Sequence, residues 1–338
     1  MTLFIIDTTA FYKKQLYSLL SKRIDMHVLY TGYQCEARNS DFSQAEMDYS
    51  YQFLQGNRLQ RIWQMCKILY KTKYTELVLG GWSGGSSAIF PWIAAFLSPK
   101  CKNSVSVEST IKESTTKGLK AWVKKLFLSR VSRTYVCGTS HAALIQALSF
   151  KGEIVITHGV GVFRRVEQPP YEERNIVRRF LYVGRLIAVK NLHWLIEQFN
   201  KYPELELDIV GFGPLEAQLK AIAGENIHFH GAVENARLSD FYRKADVFVL
   251  PSLSETWGVV VEEALNNGVP VMLSNRVGCA EDLVTPMTGV IFDLTDEDFH
   301  GKLVEIRNIT RYNEMRKAIA KLDFSAWEQS KISSYIHQ

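Results

Sequence analysis

The chain has 338 residues, of which 46% are hydrophobic, 12% aromatic and 22% charged, with a formal net charge of +5 at pH 7. At roughly 150 residues per domain, this length predicts two domains. The aromatic content excludes a disordered chain, and the small basic excess excludes a dedicated nucleic-acid-binding protein.

Short apolar runs alternate with helical patterns through the first half of the chain. Strands are predicted over residues 3–6, 26–30, 77–79, 104–107, 134–137 and 154–156. Helices are predicted over residues 10–21 and 51–71, and residues 38–48 are predicted to form a loop. The apolar side of the second helix would carry Leu54, Leu59, Ile62, Trp63, Cys66 and Leu69. Such alternation is typical of a parallel sheet with helices on both faces.

A break follows at residues 164–170, because Pro169 and Pro170 continue neither a helix nor a central strand. The alternation then restarts, with strands over residues 180–183, 205–210, 227–230, 246–250 and 269–273. Helices are predicted between them, over residues 191–200, 214–223, 238–244 and 259–267. The fold class is therefore α/β, with two Rossmann-like domains, 1–165 and 166–322, facing each other across a cleft. Residues 323–338 form a C-terminal segment.

The densest pattern is a buried strand, a loop and a helix that together contain two glutamates. The stretch reads SETWGVVVEEA over residues 254–264, followed by NNGVPV over residues 266–271. Glu255 precedes the helix and Glu263 lies inside it, so both carboxylates can approach one ligand at the helix N-terminus. That terminus, with free N–H groups and a positive dipole end, suits a diphosphate. The alternative is that Glu255 caps the helix and Glu263 is a solvated charge.

This pattern resembles the signature of family 4 retaining glycosyltransferases with the GT-B fold, in which two glutamates are separated by seven residues. The resemblance covers about residues 180–292 and includes several motifs in the same order. They are YVGRLIAVKN (182–191), LDIVGFGPL (207–215), HFHGAV (228–233), GCAEDLV (278–284) and TGVIF (288–292).

The resemblance implies a donor site for a nucleotide sugar. Arg185 and Lys190 would hold the diphosphate and neutralise the leaving group; alternatively they are a surface pair beside a strand end. Glu255 would contact hydroxyls of the donor sugar, and Glu263 those of the ribose. The remaining predicted donor-binding residues are Gly184, Gly211, Gly213, Val233, Thr256, Trp257, Gly258 and Val259. For Gly211 and Gly213, the requirement of a turn is an equally good explanation.

The N-terminal half departs from the family. Its first strand is followed by Asp7, Thr8 and Thr9 rather than by a glycine-rich loop. Where many members carry a histidine after a middle strand, this chain offers Glu108, which we predict to line the acceptor side. A capping or surface role is the alternative for Glu108. The segment 80–85 (GGWSGG) brings its backbone close to substrate or forms a tight turn.

We expect neither a metal nor a cofactor, and the nucleotide sugar, UDP- or GDP-linked, would be a co-substrate. Asp296 and Asp298 match the Asp-x-Asp pattern that holds a metal in GT-A enzymes, but they lie late in the chain in an acidic turn. We therefore interpret them as solvated charges. The histidines have no metal-like spacing with carboxylates or cysteines.

Several features bear on location. Five scattered cysteines without a C-x-x-C pair favour a reducing compartment, and no stretch approaches the ~20 apolar residues of a membrane span. The first residues lack the pattern of a secretory signal. Within residues 112–133, an apolar stripe alternates with lysines at helical spacing. Its members are Leu119, Trp122, Val123, Leu126 and Phe127. The stripe either packs on the core or lies in a membrane interface.

The sequence therefore predicts a retaining, metal-independent glycosyltransferase of the hexosyltransferase class, working in the cytoplasm or on the inner face of the cytoplasmic membrane. By family habit, its acceptor would be a lipid-linked saccharide of surface polysaccharide or lipopolysaccharide synthesis. The N-terminal domain would bind this acceptor, and the C-terminal segment would pack back on that domain. Two alternatives are a GT-B nucleotide-sugar epimerase and a non-catalytic glycosyltransferase-like subunit.

Overall fold

The computed structural model describes residues 1–7, 9–32, 47–82 and 88–336, and they divide into two compact units. The first unit contains residues 1–162 together with 325–338, and the second contains residues 163–324. The division therefore falls close to the break at residues 164–170, and each unit is built around one parallel sheet.

The described part of the first unit is a seven-stranded sheet in the order β3-β2-β1-β4-β5-β6-β7. Its strands are β1 (Thr2–Ile6), β2 (Met26–Tyr30), β3 (Tyr51–Phe53), β4 (Glu76–Leu79), β5 (Asn103–Val107), β6 (Arg133–Val136) and β7 (Glu153–Ile156). Its helices are α1 (Phe11–Ser21), α2 (Arg58–Lys71), α3 (Ile89–Leu97), α4 (Gly118–Leu128) and α5 (Thr139–Ala147). All paired strands run parallel, as the alternating pattern predicts.

Two hydrophobic cores lie on the two faces of this first sheet. Leu3 and Ile5 of β1 point into one core, with residues from α2, α3, α4 and α5. Phe4 and Ile6 point into the other, with residues of α1 and with Ile332 and Tyr335 of the C-terminal segment. Successive strand residues face opposite sides, so one short apolar strand serves both cores.

The second unit has a six-stranded parallel sheet in the order β10-β9-β8-β11-β12-β13. Its strands are β8 (Arg179–Val183), β9 (Glu206–Val210), β10 (Ile227–Gly231), β11 (Val247–Leu250), β12 (Val271–Ser274) and β13 (Gly289–Phe292). Its helices are α6 (Leu192–Phe199), α7 (Glu216–Ile222), α8 (Leu238–Lys244), α9 (Val259–Asn266), α10 (Ala280–Leu283), α11 (Asp296–Ile306) and α12 (Ile309–Ile319). The last helix of the chain is α13 (Phe324–Ser333).

The single helix predicted over residues 51–71 is wrong at its start. Residues 51–53 form β3, and the chain turns at Gly56, whose φ is +86°. Asn57 then caps α2: its side chain accepts the N–H of Gln60, and the Gln60 side chain accepts the N–H of Asn57. This reciprocal pair begins a helix at residue 58, because it satisfies two backbone donors that a continuous helix would not leave free.

The predicted apolar side of that helix is also partly wrong. Met65 and Leu69 face the core, and Leu54 is buried ahead of the helix. Leu59 and Trp63, in contrast, are exposed. Within the described residues, none of the helices has the length and apolar character that crossing a bilayer requires.

Candidate functional site

The predicted donor residues of the second unit gather where the strand order of its sheet reverses. From β8 the chain proceeds through β9 to β10 on one side, and the later strands β11, β12 and β13 lie on the other. The segment with Arg185 and Lys190 follows β8, and the loop with Glu255 follows β11. Because the carboxyl ends of neighbouring parallel strands open at the same edge, such a reversal point is a typical ligand site.

Lys190 and Glu255, predicted separately to bind the donor, form an ion pair with each other. Their side chains are only 15% and 16% exposed, so water screens the pair weakly. The two loops are also joined through their backbones, since the N–H of Leu253 donates to the carbonyl of Val189 at 2.9 Å. The structure thus brings a cation and a carboxylate to one point at the sheet edge.

Arg185 belongs to the same electrostatic environment. Its backbone carbonyl accepts the hydroxyl of Tyr182 at 3.0 Å, and its side chain is exposed. Burial and the Glu255 carboxylate raise the pKa of Tyr182 well above its ordinary value, whereas Arg185 opposes the rise. Glu255 and Arg185 therefore both influence the same buried hydroxyl group.

Residues 276–279 contact the backbone of the loop that carries Glu255. The N–H of Gly278 donates to the carbonyl of Glu255 at 2.8 Å, and a side chain at Gly278 would lie 1.9 Å from the carbonyl oxygen of Thr256. Gly258 has φ +101° and precedes the first residue of α9, Val259. A positive φ there lets the chain enter the helix abruptly, so that the backbone of residues 256–259 lies at the helix N-terminus.

Trp257, which was predicted to bind the donor, has a buried side chain. Its indole is buried, 1% exposed, and donates to Oε1 of Glu262 at 2.7 Å. Glu262 is a buried carboxylate that sequence reasoning missed. The adjacent pair Glu262–Glu263 could have indicated it. Neighbouring residues on a helix point in different directions, so one of the two carboxylates can face the core, where it needs a hydrogen-bond donor.

Glu263 lies half-buried on α9 and accepts the hydroxyl of Tyr242 at 3.1 Å. Burial raises the pKa of Glu263 to about 7, with Glu262 adding to the rise and the hydrogen bond from Tyr242 opposing it. A carboxyl group with such a pKa exchanges a proton near neutrality, so it can donate to or accept from a hydroxyl group. Tyr242 is a second residue that the motifs did not reveal.

The glycines of the predicted site are explained by contacts within the protein. Gly211 has φ +138°, and a side chain there would lie 1.9 Å from the carbonyl oxygen of Gly184. At Gly213 a side chain would lie 2.5 Å from the carbonyl oxygen of Leu186. The loops after β8 and β9 thus need glycine to pack on each other. Val233 follows β10, the edge strand of the same sheet.

Glu108 lies in the first unit, directly after β5, and forms an ion pair with Lys13 of α1. The two side chains are 33% and 12% exposed, so the carboxylate is the more accessible partner. Burial lowers the pKa of Lys13, but Glu108 and the nearby hydroxyls of Tyr17 and Tyr12 outweigh it, and the pKa stands well above its ordinary value. The result is a charged lysine beside Glu108 at the carboxyl edge of the first sheet.

Two other predicted segments lie partly outside the described residues. Thr8 and residues 83–85 lie outside the described residues, so the predictions for the loops at 7–9 and 80–85 remain predictions. Within the described part, Gly81 has φ +83°, and a side chain at Gly80 would lie 3.1 Å from the carbonyl oxygen of Ile5.

The Asp-x-Asp pair is occupied by contacts within the second unit. Asp296 accepts the indole N–H of Trp194 at 3.0 Å and pairs with Lys201 at 2.7 Å, and these contacts hold its pKa below the ordinary value. Asp298 accepts the backbone N–H of Asp293 at 2.6 Å. Both carboxylates therefore stabilise the start of α11, and the absence of a metal site stays a prediction. Across the described residues, no three His, Cys, Asp or Glu side chains are grouped to hold a metal.

The apolar stripe predicted within residues 112–133 faces solvent along α4. Leu119, Trp122, Val123 and Leu126 are exposed, and only Phe127 of the stripe is buried. The interpretation in which the whole stripe packs on the core is therefore wrong. The core side of α4 consists of Ala121, Phe127 and Leu128, of which only Phe127 belongs to the predicted stripe.

Comparison with solved structures confirms the predicted fold class, which is the GT-B fold. The apo form of the lipopolysaccharide outer core galactosyltransferase WaaB superimposes with a TM-score of 0.74 at 15% identity, covering 99% of both chains. Anabaena Alr3699/HepE in complex with UDP and glucose gives a TM-score of 0.67 at 15% identity, covering 97% of both chains. At these identities the similarity concerns the fold.

The family match is specific to the second unit. Residues 163–321 match the family model "Glycosyl transferases group 1", and this match confirms the predicted resemblance.

Curated relatives match a similar share of the chain. Sulfoquinovosyl transferase SQD2 of Arabidopsis thaliana is 34% identical over 146 residues, which are 42% of this chain and 28% of that protein. The O-antigen biosynthesis glycosyltransferase WbnH of Escherichia coli is 33% identical over 142 residues, 41% of this chain and 40% of that protein. The match thus spans less than half the length of these relatives.

Proposed function

We propose that the chain is a glycosyltransferase that moves a hexosyl group from a UDP- or GDP-linked donor to a lipid-linked saccharide, with retention of configuration and without a metal. The observation that carries the proposal is the Lys190–Glu255 ion pair at the reversal point of a sheet whose sequence matches the group 1 glycosyltransferases. The UDP-bound structure with the same fold supports a nucleotide-sugar donor.

In the proposed complex, Arg185 and Lys190 contact the diphosphate, and the N–H groups of residues 256–259 add donors at the start of α9. Arg185 offers a planar fork to two phosphate oxygens, and Lys190 acts as a compact charge. Lys190 already faces a carboxylate, so the diphosphate competes with Glu255 for the ammonium group. Glu255 is then free to accept hydroxyls of the donor sugar, while Glu263 receives the ribose hydroxyls.

The same groups act during the chemical step. The bond between the anomeric carbon and the diphosphate breaks, and its electron pair leaves with the diphosphate. The acceptor hydroxyl attacks from the face that the diphosphate leaves and passes its proton to a diphosphate oxygen. Because negative charge grows on the leaving group, fixed cations beside it stabilise the transition state more than the bound donor. This placement of Arg185 and Lys190 is the reason to expect metal-independent transfer.

The acceptor belongs to the first unit in this proposal. The Lys13–Glu108 pair offers a donor and an acceptor of hydrogen bonds side by side, which suits a saccharide with neighbouring hydroxyls. The O-antigen relative and the lipopolysaccharide structural neighbour favour a lipid-linked acceptor in surface polysaccharide synthesis. The exposed apolar residues of α4 favour work at the inner face of the cytoplasmic membrane.

The donor half of the proposal is tested by titrating UDP, GDP and their sugars into the full chain. Lys190→Met should weaken binding of the matching nucleotide at least about tenfold, since a hydrogen bond to a charged group contributes about 1.5–3 kcal/mol. Lys201→Met is the matched control, because Lys201 also pairs with a carboxylate in the second unit but away from the reversal point. Equal affinities for the wild type and the Lys190 variant would contradict the proposed site.

Transfer itself is tested with a lipid-linked saccharide pool and single nucleotide sugars, followed by mass spectrometry in the presence of EDTA. We expect one donor to add one hexose with the anomeric configuration unchanged, as NMR of the product would show. A product of inverted configuration, or complete loss of transfer with EDTA, would refute that part of the mechanism. Conversion of the donor without any acceptor would favour the epimerase alternative.

A further inference from the structure

We propose that helices α2, α3 and α4 together form a docking surface for an anionic lipid bilayer, which we call the three-helix face. It rests on the proposed function only in extending the membrane contact suggested for α4 to two further helices. Lipid binding by this face requires neither donor nor acceptor, so its test and the donor test fail independently.

The part of the chain that contains α2, α3 and α4 is much more basic than the chain as a whole. Residues 49–152 contain 15 Lys and Arg but only three Asp and Glu, whereas the whole chain has a net charge of +5. Those three acidic residues are already engaged: Glu76 pairs with Arg133, Glu108 pairs with Lys13, and Glu113 accepts a backbone N–H. The sequence segments of α2, α3 and α4 contain no acidic residue at all. Residues 49–152 thus carry a basic excess, which the acidic residues elsewhere in the chain largely offset in the net charge.

The three helices form one layer on the same face of the first sheet. Each contributes buried residues to the same core, with Met65 from α2, Ala94 from α3 and Phe127 from α4. Helix α3 contacts α2 and also touches α4, where the rings of Trp92 and Phe127 lie 5.0 Å apart. Side chains on the outward side of the layer therefore belong to one continuous protein surface.

That outward side is rich in large apolar side chains. Tyr70 is 90% exposed, and Leu59 and Leu119 are each 77% exposed. The other exposed apolar residues of the layer are Trp63, Phe96, Leu97, Trp122, Val123 and Leu126. Residues 59, 63 and 70 follow helical spacing and share one side of α2. Nine exposed large apolar residues on one helical layer are typical of an interaction surface.

The mixture of side chains fits a bilayer interface. The ammonium group of Lys67 lies 4.9 Å from the ring centre of Trp63, and Arg130 lies 5.2 Å from that of Phe96. Aromatic rings settle at headgroup level, and the long stems of Lys and Arg cover apolar surface while their charges reach outward. A second copy docked through the same face would place like charges against each other, so anionic lipid is the better complement.

The experiment is sedimentation of the full chain with vesicles of phosphatidylcholine alone or with 30% phosphatidylglycerol, mixed at roughly the ionic strength of 0.1 M salt. We expect binding to the anionic vesicles that falls as salt increases. Trp63→Gln on α2 and Trp122→Gln on α4 should each weaken binding about tenfold, because each removes one large inserted side chain. Ile176→Gln, at a position 65% exposed in the second unit, is the matched control.

Charge is tested separately with Lys120→Glu, for which we expect at least about a fivefold loss of affinity, while Lys321→Glu in the second unit has little effect. Loss with Trp122→Gln but none with Trp63→Gln would overturn the three-helix face in favour of α4 alone. Equal binding to neutral vesicles would overturn the requirement for anionic lipid. A dimer in solution that Trp63→Gln abolishes, without vesicle binding, would assign the face to a second copy.

Discussion

Replacing Glu263 by glutamine should change how the stability of the chain depends on pH. Burial raises the pKa of Glu263 from an ordinary 4.5 to about 7, so the folded chain binds this proton more tightly than the unfolded chain. Stability must then fall as the pH rises through the window between these values, and level off above it. Glutamine has nearly the same shape and no charge, so Glu263→Gln removes the effect.

The size of the effect follows from the two pKa values. The charged form costs the folded state about 1 kcal/mol at pH 5 and about 3 kcal/mol at pH 8, a difference of about 2 kcal/mol. Urea unfolding followed by tryptophan fluorescence at both pH values measures this difference between the wild type and the variant. Glu297→Gln, at an exposed position of α11, is the control and should show none. If the Glu263 variant gains the same free energy at pH 5 and pH 8, the proposed environment is wrong.

Four further changes test packing, charge and helix capping. Gly211→Ala should destabilise the chain by at least about 2 kcal/mol in urea unfolding, since φ is +138° there and a carbonyl lies in the way. Gly301→Ala, in α11 with open space around it, should instead stabilise by about 0.5–1 kcal/mol. Lys13→Met should cost about 2 kcal/mol by leaving Glu108 unpaired, and adding Glu108→Gln should restore part of it; a full additive loss would argue against the pair. Asn57→Ala should cost about 1 kcal/mol through the lost cap, seen as reduced helicity and a lower melting temperature.

The fold could be predicted from sequence because each strand is a short apolar run between helical patterns. Helix α8 and strand β2 have the predicted bounds. The failure at residues 51–71 has a local cause: aromatic residues before Gly56 have no periodicity that separates a three-residue edge strand from a helix. The sequence contains the capping residues Asn57 and Gln60, and this cap starts the helix at residue 58 even though the apolar pattern continues from residue 51.

The sequence indicates which residues to consider together as a candidate site, but not how they are arranged. Motif order indicates that Lys190 and Glu255 belong to one site. It does not show that they contact each other, because no helix or strand periodicity relates two residues that are 65 positions apart in the sequence. The raised pKa of Glu263 depends on burial and on Tyr242, 21 residues earlier. The Lys13–Glu108 pair is similarly nonlocal and follows from the parallel sheet, which brings the ends of distant strands to one edge.

The first unit is assembled from two separated stretches of chain, and this affects what can be cut out of the protein. Phe163 and Phe324, at the two ends of the second unit, have ring centres 6.1 Å apart. The second unit is therefore an insertion with adjoining ends, suited to expression as a separate fragment of residues 163–324. Residues 1–162 are not suited in the same way, because Tyr335, whose ring stacks on Tyr135 at 4.5 Å, would be missing from their core. A usable fragment of the first unit would need the C-terminal segment rejoined to residue 162 by a short linker.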